Sequence, residues 1–151
     1  MSWSTDKSVI LSQISTRIIM VLGVGLAIAL PFLCVSGFFD NRAFIATQHV
    51  MLILPVYYTF CVPVYVALFA LDRLLAAIKR NRVFTTQNVR YLRIISWASF
   101  ATALVLLVST LVSFTFFALA IVAAFVGIVL RAVKNLFAAA VELQEESNFT
   151  I

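Results

Sequence analysis

Six of the eleven basic residues, Arg73, Lys79, Arg80, Arg82, Arg90 and Arg93, fall between Asp72 and Arg93, and Asp72 is the one acid among them. Guanidinium groups bind phosphate and carboxylate through paired N–H donors, and ammonium groups bind them as point charges. The chemistry on offer is anion capture, either of lipid headgroups or of an acidic protein surface. A second charged group lies near the C-terminus, where Glu142, Glu145 and Glu146 follow closely. Glu142 and Glu146 are four residues apart and share a helical face, with Glu145 beside them. They are candidates to dock on Arg80, Arg82, Arg90 and Arg93 and so to compete for the basic surface.

No other group of residues suggests a reaction. There is no His/Cys/Glu cluster with ligand spacing, no Ser-His-Asp set, no glycine-rich phosphate loop and no pair of carboxylates within an apolar stretch. The expectation is a protein that is not an enzyme, with no catalytic residue, no cofactor and no metal site. Cys34 and Cys61 both lie inside apolar runs and read as small hydrophobes, unbonded to each other. His49 stands at the border of an apolar run and reads as an interfacial side chain.

The elements that position these charges are apolar. The chain is 64% hydrophobic and 11% charged, against roughly 25% charged in an average soluble domain. So much apolar surface must face lipid, and the chain reads as an integral membrane protein. The net charge of +5 has the same explanation. The basic residues border apolar runs, so direct nucleic-acid binding is not expected.

The first charge-free run, Ile18 to Phe39, is longer than the roughly 7–15 residues of a signal-peptide core, and no convincing small-x-small cleavage site follows it. It reads as a retained span. Ile10, Ile14 and Ile18 recur at helical spacing, so helix 1 is expected to begin near Ser8, with Trp3 as an interfacial anchor. Gly23 and Ala27 form a small-xxx-small pair that allows close approach, and Pro31 is a site of bending. A short loop with Asp40 and Arg42 leads to the second run, Ala43 to Leu71. It contains Pro55, Pro63, Tyr57, Tyr58 and Tyr65, and prolines are tolerated in membrane helices. Helix 2 is expected to continue to about Lys79 and stop at Asn81. Thr85 is a good N-cap for helix 3, and Phe84 with Val89 fits a hydrophobic staple.

The third run, Ile94 to Leu130, would be roughly 56 Å long as one helix, against a hydrocarbon core of about 30 Å. It must fold back. No glycine or proline marks the turn, and Ser113-Phe114-Thr115 is the most polar spot near its middle. Helix 3 is then expected over Thr86 to Val112 and helix 4 from about Phe116. Helix 3 carries Ser96, Ser99, Thr102, Ser109 and Thr110, which could line a cavity or bond within the helices. Arg131 and Lys134 can snorkel to headgroups.

The expected fold is all-α: four transmembrane helices in an antiparallel bundle, as one domain over 1–151. The spans are about 17–38, 48–71, 94–112 and 116–136. Ten of the eleven basic residues fall in 1–17, in the loop 72–93 and in the C-terminal part, and only Arg42 falls outside. Basic residues favour the cytoplasm, so both termini, the basic loop 72–93 and the acidic tail 137–151 are placed there. The sequon Asn148-Phe149-Thr150 then faces the cytoplasm and is not a glycosylation site.

The stretch LLAAIKRNRVFTTQNVRYLRII and the ending AAAVELQEESNFTI resemble a family of small four-span bacterial membrane proteins catalogued as domain of unknown function 2975. Asn81 and Val83 stand where that pattern has Gly and Pro, and Phe149 where it has Leu. The resemblance implies a multi-pass protein of the bacterial inner membrane. Its members are often encoded beside small helix-turn-helix regulators, which implies a cytoplasmic regulatory partner. The function expected is a regulatory or interaction protein that presents Arg73, Lys79, Arg80, Arg82, Arg90 and Arg93 to such a partner or to anionic lipid. A homo-oligomer is also open. The alternative is a small oligomeric channel or transporter.

Overall fold

The computed structural model describes residues 3–36 and 50–149. These form four α-helices: α1 (Trp3–Val35), α2 (Val50–Lys79), α3 (Thr86–Ser109) and α4 (Thr115–Phe149). All four are long and apolar enough to cross a membrane. In lipid, backbone polar groups must be satisfied within the segment, and a helix does this. α1 reaches back to Trp3, ahead of the start expected at Ser8. His49 and the loop with Asp40 and Arg42 lie outside the described residues. Cys34 and Cys61 are half-buried, unbonded thiols.

α3 and α4 are joined by residues 110–114. α3 ends at Ser109, short of Val112, because its last turn tightens. Thr110 N–H donates to Leu107 O, Leu111 N–H to Val108 O and Val112 N–H to Ser109 O. Such i→i−3 bonds satisfy the terminal carbonyls while the backbone stays right-handed, and Thr110 sits at φ −58°, ψ −27°. The reversal therefore needs neither glycine nor proline.

The helices pack in series: α1 on α2, α2 on α3 and α3 on α4. Among the described residues α1 and α4 do not meet, so the series is open. α3 is the most enclosed element, with buried residues from Asn88 to Ser109. It packs on α2 and α4 through a core of Ala70, Leu74, Leu92 and Ile95, flanked by Leu130, Val133 and Phe137. The α3–α4 crossing is close at Gly127, where a Cβ would stand 3.2 Å from the Phe100 ring. Ser96 spans the same crossing, its hydroxyl donating to Gly127 O at 3.0 Å.

α1 is held to α2 by a different device. Tyr65 donates to Met20 O at 2.8 Å, Tyr57 to Gly23 O at 3.0 Å and Tyr58 to Ala27 O at 2.8 Å. The small residues of α1 thus admit tyrosine side chains of α2: a Cβ on Gly23 would lie 2.6 Å from the Tyr65 oxygen.

A basic hairpin as the candidate functional site

The hairpin between α2 and α3 is built by local chemistry. α2 ends with Asn81 at φ 58°. Asn81 N–H donates to Ile78 O and Arg82 N–H to Ala77 O. This is a Schellman-type end, in which a left-handed residue closes the helix. Asparagine tolerates that conformation better than other side chains except glycine. Thr85 caps α3 from an extended backbone, and its side chain accepts the Asn88 N–H.

Asn88 holds the two ends together, a role only faintly legible in the sequence. It is fully buried. Its Nδ2 donates to Arg82 O and to Val83 O, both at 2.7 Å. One side chain thus satisfies two turn carbonyls that no helix can reach. Its Oδ1 is buried without a protein partner. The available sign was its place three residues after the Thr85 cap. Phe84, expected to staple onto Val89, packs its ring on Phe137 of α4 with centroids 5.5 Å apart.

Asp72 does not serve the hairpin. It accepts from Arg17 Nε at 3.1 Å, joining α1 to α2. Among the described residues none of Arg73, Lys79, Arg80, Arg82, Arg90 and Arg93 has a carboxylate within ion-pair distance. Arg73, Arg80 and Arg82 border one pocket of about 190 Å³ with Gln87 and Tyr91. Gln87 donates to the Tyr91 oxygen at 3.1 Å, and Arg73 lies 5.0 Å from the Phe69 ring centroid. Lys79 and Arg90 are exposed outside this pocket. Arg93 turns to α4 and lines another pocket with Arg131 and Lys134. The six bases are therefore divided between surfaces.

Glu142, Glu145 and Glu146 are exposed on the end of α4, which runs unbroken from Thr115 to Phe149. Among the described residues neither Glu142 nor Glu145 is in ion-pair contact with the hairpin. The hydroxyls of α3 are turned inward on the backbone. Ser99, Thr102, Ser109 and Thr110 donate to Ile95 O, Ala98 O, Val105 O and Leu106 O of their own helix.

Residues 19–151 match the model of a family described as a protein of unknown function (DUF2975), which is most of the chain. No curated protein and no solved structure matches the chain.

Proposed function

We propose a function for this protein, which belongs to the family of unknown function DUF2975: it is an interaction protein of the bacterial inner membrane that presents a rigid basic hairpin to an acidic cytoplasmic partner. The observation that carries this reading is the Arg17–Asp72 pair. By engaging the loop's one acid, it leaves Arg73, Arg80 and Arg82 uncompensated around a single pocket. Asn88 fixes the hairpin's shape before any partner arrives, so little ordering would oppose binding.

The proposed topology is four antiparallel spans with both termini inside. Contacts support the alternation. Residues 17, 20 and 27 of α1 meet 72, 65 and 58 of α2. Residues 84 and 96 meet 137 and 127 of the last helix. The basic residues support the orientation. Arg80 lies eight residues beyond Asp72, about 12 Å along the helix, which would lift the hairpin tip clear of the border marked by Arg17 and Asp72.

The partner proposed is a soluble regulator with an acidic face, for which a small helix-turn-helix protein is the leading candidate. The acidic end of α4 would compete with it for the hairpin. A small oligomeric channel or transporter is not favoured, because the α3 hydroxyls bond to backbone instead of lining a polar path. Detergent-extracted protein should co-purify with a soluble regulator, and Arg80→Gln with Arg82→Gln should abolish this. Co-purification unaffected by those changes would sink the reading.

A further inference from the structure

The seam between α3 and α4 changes character along its length. At one end a pocket of about 290 Å³ is lined by Arg93, Ser96 and Trp97 of α3 and by Arg131 and Lys134 of α4. Three cations converge there, and no acid is among the lining residues. The Arg131 guanidinium lies 5.9 Å from the Trp97 ring centroid, a cation–π contact that fixes its direction. The Ser96 hydroxyl is engaged with Gly127 O, which leaves recognition to the charges. Farther along, the same two helices form an apolar groove of about 280 Å³, lined by Phe100, Leu104 and Leu107 of α3 and by Ile121 and Ala124 of α4. Arg93, Trp97, Phe100, Leu104 and Leu107 recur at spacings of four and three, so they share one face of α3. Trp97 and Leu104 are two turns apart, about 10 Å.

We propose that this seam binds one anionic phospholipid, with a headgroup phosphate among Arg93, Arg131 and Lys134 and an acyl chain in the groove. The position fits. Arg93 immediately precedes, and Arg131 immediately follows, the charge-free stretch 94–130, so the pocket stands where hydrocarbon gives way to headgroups. The charge fits as well. Like charges repel across a shared pocket, and a phosphate removes that repulsion while accepting paired N–H donors from arginine. A free phosphate would use only the charged end. The apolar continuation is what selects a lipid. This surface is separate from the hairpin pocket, so failure here leaves the partner proposal standing.

Native mass spectrometry of the detergent-purified full chain tests it, with added phosphatidylglycerol, phosphatidylcholine or inorganic phosphate. The expected result is one retained phosphatidylglycerol, at least tenfold less phosphatidylcholine, and weak competition by phosphate. Arg131→Gln with Lys134→Gln should lower retention at least tenfold, and Lys134→Arg should preserve it. Lys7→Gln, on α1 and away from the seam, should change nothing. Ala124→Phe, which fills the groove, should weaken the long-chain lipid while leaving a short-chain phosphatidylglycerol bound. Equal retention of the two lipids, or unchanged retention in the Arg131/Lys134 double variant, overturns the proposal. Full displacement by inorganic phosphate would also overturn it, identifying a free-phosphate site.

Discussion

The Tyr58 hydroxyl donates at 2.8 Å to the Ala27 carbonyl oxygen, and Ala27 is the residue whose carbonyl loses its helical N–H partner to Pro31. A proline at position i cannot donate to the carbonyl at i−4. In lipid no water replaces that donor, and a neighbouring helix must supply one. The two residues should therefore be coupled. Tyr58→Phe should destabilise the wild-type protein by about 0.5–1.5 kcal/mol. In a Pro31→Ala background the helix supplies its own N–H, and the loss should be clearly smaller. A double-mutant cycle on detergent unfolding measures this, and strict additivity would mean that the hydroxyl does not serve that carbonyl.

The α1–α2 contact also sets two glycines apart. A methyl group on Gly23 meets the Tyr65 oxygen at 2.6 Å, while one on Gly25 meets nothing within 4 Å. Gly23→Ala should lower stability by about 1–3 kcal/mol, the range for overpacking. Gly25→Ala should be neutral or stabilising, since alanine is the better helix former. Adding Tyr65→Phe should recover part of the Gly23→Ala loss, read by the same unfolding assay.

The hairpin should depend on Asn88 more than on any of its bases. Asn88→Leu leaves the Arg82 and Val83 carbonyls without their donor, at about 0.5–1.5 kcal/mol for each bond lost. The same change should raise hydrogen exchange over residues 80–88. Asn81→Gly, which suits φ 58°, should be neutral within a few tenths of a kcal/mol, whereas Asn81→Val should cost about 1–2 kcal/mol.

Much of this architecture was legible because charge marks it. Charge-free runs bracketed by arginine and aspartate identify the spans, and a run longer than the bilayer forces the turn near Ser113. Thr85 and Asn81 were legible because capping depends on local sequence. The Arg17–Asp72 pair was not, because it joins residues 55 apart in sequence. The tyrosine contacts were hidden too. Three tyrosines in an apolar run show that partners are needed, but which carbonyls they meet depends on how α2 is rotated against α1. The division of the basic residues was likewise invisible: three apart in sequence, Arg90 stands exposed outside both pockets while Arg93 lines the one with Arg131 and Lys134.

The acidic end of α4 gives a salt-dependent prediction. Residues 84 and 137 meet, and Glu142 lies five residues farther along α4, about 7.5 Å beyond that contact. Replacing Glu142, Glu145 and Glu146 together by Gln should increase binding of the purified protein to anionic vesicles, most strongly at low salt, where screening is weak. Each exposed pair is worth only about 0–1 kcal/mol, so the expected gain is several-fold. Unchanged or weaker binding would leave the acids as a solvated helix end.

On the function proposed, the hairpin tip meets a soluble protein in the cytoplasm. A photo-crosslinking residue at position 82, activated in intact cells, tests this most directly. A light-dependent adduct with a soluble cytoplasmic protein is expected, lost when Arg80 and Arg73 are replaced by Gln. Adducts with lipid alone, or protein adducts indifferent to those replacements, would contradict it.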